Sequence, residues 1–272
     1  METKTQSLPE LSKEIRRRTV RAIGHLGVGH IGGSLSIADL LAVLYYKAMR
    51  IDPARPQLPG RDRLVISKGH SGPALYAVLS MQGYIEESEL LTLNQMGTNL
   101  PSHCDMNRTP GVDMTTGSLG QGFSCAVGVA LGSRLRQDGA HVYTIIGDGE
   151  SQEGQIWEAA MYAAHSKLDN LIAFTDYNGL QIDGTVDEVN TLGDLAAKWR
   201  AFGWHTQEVD GHDHAAIEAA IEDAKANPGM PHMVILRTKK GCGVSFVESM
   251  GPTCHNATFT PEQTEAALAE LA

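Results

Sequence analysis

One unit constrains this chain more than any other: a strand ending in glycine and acid, a helix, and a strand ending in an amide. Residues 141–146 (His-Val-Tyr-Thr-Ile-Ile) form an apolar, β-rich run that reads as a buried parallel strand. It leads into Gly147-Asp148-Gly149-Glu150 and Ser151-Gln152-Glu153-Gly154. Ile156, Ala159, Ala160, Ala163 and Ala164 then recur at helical spacing, and residues 171–175 make the next strand, delivering Asn178. Such a β-α-β unit puts Asp148 and Asn178 at neighbouring strand tips, outside which open α/β sheets bind ligands.

The chemistry that suits this pair is a divalent cation holding a diphosphate. Asp148 and Asn178 offer hard oxygen ligands of the kind Mg2+ and Ca2+ prefer, and Mg2+ commonly completes its octahedron with substrate phosphates. Gly147 and Gly149 let backbone approach phosphate oxygens, and the following helix N-terminus favours an anion. Gly-Asp-Gly by itself is a common turn. The amide on the next strand, with its own glycine-rich exit (Asn178-Gly179, Asp183-Gly184), is what argues for a site.

The remaining strands and helices extend the unit into one sheet. Strands expected near residues 62, 141, 171, 205 and 233 alternate with helices, giving an α/β fold: a doubly wound, mainly parallel sheet with helices on both faces. Residues 10–27 form an amphipathic helix whose Arg16, Arg17, Arg18 and Arg21 read as a solvated face. Helices are also expected near 37–47, 86–95 and 192–199. Asp213 should cap another, stopped by Asn227-Pro228-Gly229.

Histidines recur on the glycine-rich tips. His30 lies in Gly29-His30-Ile31-Gly32-Gly33-Ser34 and His70 in Lys68-Gly69-His70 after a short strand. His103 lies in Pro101-Ser102-His103, within the long irregular segment 97–113. Residues 117–122, Gly-Ser-Leu-Gly-Gln-Gly, open a helix; their glycines serve close ligand approach or tight packing equally well. Lys239 and Lys240, after the last strand, are surface lysines by default, though one could reach phosphate.

Lys plus Arg (22) against Asp plus Glu (32) gives a net charge of −10, which argues against nucleic acid or an anionic membrane as partner. Cys104, Cys125, Cys242 and Cys254 show no CxxC spacing, and His103-Cys104 lacks the further ligands of a zinc site. The start, Met1-Glu2-Thr3-Lys4, has no apolar leader, so a cytoplasmic location is expected.

Taken in order, GHIGGS, KGH, PSH, GSLGQG, GDG with Asn178, and a late histidine, His255, resemble the diphosphate-binding half of transketolase over nearly the whole chain. The resemblance implies thiamine diphosphate as cofactor with Mg2+ (Ca2+ or Mn2+ as alternatives). Asp148, Asn178 and the Leu180 carbonyl would be metal ligands. His70, Gly117, Leu119, Gly149, Glu150, Asn178, Ile182, Lys240 and His255 would be cofactor contacts, and His30, His103 and His255 catalytic groups. Glu153 and Glu158 resemble acids that link paired sites across a dimer axis. The family's Trp-His-Gly is Cys254-His255-Asn256 here.

In the family, a glutamate on a second, pyrimidine-binding domain activates the cofactor. Residues 1–272 are expected to be a single diphosphate-binding domain, with the pyrimidine-binding domain on a separate C-terminal transketolase subunit, in an α2β2 assembly acting on sugar phosphates or related anionic ketoses. The rival readings are the α subunit of a 2-oxoacid dehydrogenase and a non-catalytic cofactor-binding subunit.

Overall fold

The protein is described by a computed structural model covering residues 6–272. The leader-free start read from Met1–Lys4 lies outside these residues. Five strands, β1 (Arg63–Ile66), β2 (Val142–Gly147), β3 (Leu171–Tyr177), β4 (His205–Asp210) and β5 (His232–Arg237), form one parallel sheet in the order β1-β2-β3-β5-β4. Each strand predicted from sequence is present, within about two residues of its expected bounds.

Strand periodicity divides the core. On β2, Tyr143 and Ile145 face one side while Val142 and Ile146 face the other, as a period of two requires. Tyr143, Ile145, Phe174 and Leu236 pack with the helices Leu8–Leu26, Ala38–Val43, Gly72–Gln82 and His214–Ala226. Val142, Ile146, Ala173 and Ile235 pack with Gln121–Arg136, Gly154–His165 and Leu195–Ala201. Helices therefore cover both faces, as an all-parallel sheet demands. Asp213 caps its helix by accepting from the Ala215 and Ala216 amides. The segment expected as a helix near 86–95 is a 3-10 turn, Glu87–Thr92. No helix among the described residues is long and apolar enough to cross a membrane.

The arginine-rich face of Leu8–Leu26 departs in part from expectation. Arg16 is buried and makes a two-pronged pair with Asp39, through Nη1 at 3.1 Å and Nη2 at 2.5 Å. Arg18 is largely covered as it pairs with Glu14 and Glu87, while Arg17 and Arg21 keep the solvent-facing positions expected of them. Charge counting missed the Arg16 pair because Asp39 comes from a different helix, and a bidentate carboxylate justifies burying a guanidinium. Arg16→Met leaves Asp39 buried against only His212 and His214. It is expected to cost about 3 kcal/mol, read as a lower urea midpoint with an unchanged m-value.

Two short antiparallel ladders shape the sheet's carboxyl end. Val28–Gly29 pairs with Ala257–Thr258, and Leu180–Gln181 with Gly184–Thr185. The first brings together the loops that carry His30 and His255, which lie far apart in sequence.

Candidate active site

Four neighbouring strand tips converge on one cavity of about 400 Å3. The loop after β1 supplies Lys68 and His70, β2 supplies Asp148, β3 supplies Asn178, and the loop after β5 supplies Lys240. Leu119, Gly117, Gly149, Glu150, Leu180, Ile182, His30, His103 and His255 line the same space. Every site residue expected from the sequence thus falls on one wall or another of a single cavity.

Asp148 is only 2% exposed. Its Oδ1 accepts from the Gly149 amide at 2.8 Å and its Oδ2 from the Gly179 amide at 2.6 Å. Burial, reinforced by the nearby Asp176 charge, pushes its carboxyl up to about 6. An anion held at such cost is relieved by a cation. Asn178 Oδ1 accepts from the Leu180 amide at 3.1 Å, while its Nδ2 donates to Asp176 at 3.0 Å. The Leu180 carbonyl accepts from Lys240 Nζ at 2.9 Å. A carboxylate, an amide oxygen and a carbonyl form the all-oxygen donor set that suits Mg2+ or Ca2+. Lys240 is 4% exposed and burial lowers its ammonium pKa, whereas Lys239 lies outside and pairs with Glu248. The default reading of two surface lysines therefore holds for Lys239 alone.

The histidines form a cluster. The His30 ring centroid lies 5.5 Å from His70, 5.3 Å from His103 and 5.4 Å from His255, and His70 lies 4.8 Å from His255. Burial depresses all four, with neighbouring positive charge adding at His70 and His255: His30 falls to about 4, His255 to about 3, and His70 and His103 fall below the ordinary 6.5. At neutral pH the cavity thus presents neutral imidazoles, each able to donate or accept at a substrate hydroxyl.

The sign of the pH effect follows. The unfolded chain takes up protons below pH 6.5 that the folded imidazoles refuse until lower pH, so stability falls as pH drops through that window. His30 and His255 are only partly buried, so each contributes about 1 kcal/mol of loss between pH 6.5 and 5. Urea unfolding at pH 7 and pH 5 should show it, and His30→Gln should flatten the slope.

Other residues act as framework. Glu150 spends its carboxylate on the protein, accepting from Ser67 Oγ and the Gly120 amide through Oε1 and from the Gly147 amide through Oε2. A Cβ on Gly122 would come within 2.6 Å of Ser67 Cα, so this glycine serves packing, while Gly117 lines the cavity. Cys104 is buried beside the Gly69 carbonyl, and the described cysteines are all free. Sequence reasoning missed Lys68 and Asp176, a buried ion pair at 2.5 Å beneath Asn178. Its signal was a lysine before Gly69-His70 and an acid two positions before Asn178.

Asp39, His212 and Cys242 gather possible metal-ligand atoms within 4.8 Å of one another. Arg16 already neutralises Asp39, and His212 uses Nδ1 on Asp39 and Nε2 to accept the Lys239 amide. No nitrogen lone pair remains for a metal, and the trio is structural.

Residues 9–271 match the family model described as transketolase, thiamine diphosphate binding domain. The chain belongs to the transketolase family. This transketolase-family chain is 59% identical to the 6-deoxy-6-sulfo-D-fructose transketolase subunit SqwG of a Clostridium species, over 94% of its own length and 93% of that protein's. It is 38% identical to an apulose-4-phosphate transketolase subunit of Phocaeicola vulgatus, over 98% and 94%. A solved transketolase variant from Pichia stipitis superposes with a TM-score of 0.92 at 33% identity, covering 98% of this chain and 41% of that one. The transferase reading and thiamine diphosphate as the family cofactor stand on these matches, which do not favour the 2-oxoacid dehydrogenase alternative.

Proposed function

We propose that the chain is the diphosphate-binding subunit of a two-chain transketolase that moves a two-carbon ketol unit from an anionic ketose to an aldose. The observation that carries this reading is the meeting of Asp148, Asn178 and the Leu180 carbonyl in one cavity with four neutral histidines. Asp148, Asn178 and the Leu180 carbonyl would hold a divalent cation, Mg2+ by preference, and Lys240 and His70 would add contacts to a diphosphate. Gly117, Leu119 and Ile182 would border the cofactor rings. Thiamine diphosphate supplies the electron sink that lets a carbon–carbon bond break. His30, His103 and His255 orient the sugar hydroxyls and move their protons.

Ile182, expected against the cofactor, is 66% exposed on this chain, and Glu153 and Glu158 are exposed as well. Both facts suit a second polypeptide, carrying the pyrimidine-binding domain, that closes over this face in an α2β2 complex. The 59% identity to a sulfofructose enzyme subunit, against 38% for the apulose one, favours a sulfonated ketose as donor. The test is ketol transfer by the purified pair of chains. A kcat/KM for 6-deoxy-6-sulfo-D-fructose at least about tenfold above that for ketose phosphates is expected. Preference for a phosphate donor would overturn the substrate assignment.

A further inference from the structure

We propose that Asp176 is a positioning residue whose buried carboxylate, paired with Lys68, fixes which edge of the Asn178 amide faces the cation site. The proposal rests on the metal–diphosphate reading above. Asp176 has no exposed surface. Its Oδ2 accepts from Lys68 Nζ at 2.5 Å, Ser36 Oγ at 2.8 Å and Asn178 Nδ2 at 3.0 Å, and its Oδ1 accepts from Thr238 Oγ1. Lys68 is itself 2% exposed and its ammonium also donates to the Gly33 carbonyl at 2.7 Å.

An ionised carboxylate has acceptors only, so it can face only the NH2 edge of an asparagine. Oxygen and nitrogen of an amide are ordinarily hard to tell apart by position. Here the neighbour's chemistry decides. With its nitrogen committed to Asp176, Asn178 must turn its oxygen the other way, where it already accepts the Leu180 amide on the cavity wall. A free amide would present NH2 to a cation part of the time, which repels it. The donors that hold Asp176 come from residue 36, from behind β1 and from behind β5, so three further segments meet at the one carboxylate that orients the ligand.

The test is calorimetric titration of Mg2+, at saturating thiamine diphosphate, into the full chain bound to its partner. At an unconstrained site Asn178→Asp should tighten Mg2+ binding, because a carboxylate is the stronger ligand. Beside Asp176 the two carboxylates repel, which turns the new side chain off the orientation that the amide holds and away from the cation site, and Mg2+ binding is expected to weaken by about tenfold or more. Adding Asp176→Asn removes the repulsion and should recover at least about threefold, a rescue that general damage to the fold would not give. Mg2+ binding by Asn178→Asp as tight as wild type would overturn the proposal. If that variant does not fold, Thr238→Val, which removes one hydrogen bond to Asp176, should raise the Mg2+ Kd about three- to tenfold. An unchanged Kd there overturns the proposal equally. Wild-type protein that binds neither Mg2+ nor cofactor overturns the functional reading, and this orientation with it. Binding by wild type with insensitive variants overturns the orientation alone.

Discussion

Asp148→Ala is expected to abolish metal-dependent thiamine-diphosphate binding, weakening it by at least about a hundredfold, with ketol transfer lost in parallel. Asp148 would contribute the one ionised ligand of the proposed donor set; the Asn178 amide and the Leu180 carbonyl are neutral, and Lys240 already claims part of the latter. Asp148→Asn should fare little better. Both Asp148 oxygens accept backbone amides, from Gly149 and Gly179, so an asparagine there sets its NH2 against an N–H donor. Calorimetry with Mg2+ and cofactor, beside circular dichroism to verify the fold, makes the measurement. Retention of wild-type affinity in Asp148→Ala would remove the metal site from this cavity.

The chain without its partner is expected to turn over at least about a thousandfold more slowly than the pair, and to bind cofactor weakly. Ile182 stands open to solvent at the cavity, so the rings of a bound cofactor would be covered on one side only. Exclusion of water and the activating acid both belong to the second chain in this reading, and electrostatic preorganisation depends on a closed site. Mixing the two purified chains at increasing ratio should give activity that saturates at equal stoichiometry. Substantial transfer by the isolated chain would contradict the division of the site between polypeptides.

The sheet was legible because strand and helix periods are local. Runs such as 141–146 announce a doubly buried strand, and glycine with an acid or amide marks its tip. The meeting of Asp148 and Asn178 in one cavity was legible for the same reason, since each sits one step beyond a readable strand. What stayed hidden depends on contacts between distant segments. Arg16 looked solvated because nothing near it in sequence names Asp39, and Lys68 and Asp176 gave no sign that they pair beneath Asn178. The family resemblance placed Glu150 beside the cofactor. The structure adds that its carboxylate braces the Ser67 and Gly120 loops against the end of β2, which only packing reveals.

The ladder between Val28–Gly29 and Ala257–Thr258 carries one more consequence. It joins an early stretch to a much later one, so His30 and His255 cannot be held together until residues 257–258 have left the ribosome. A nascent chain can build most of the sheet and still lack a finished histidine cluster. The same seam makes Ala257 and Thr258, which carry no catalytic group of their own, the clasp that shuts the pocket wall.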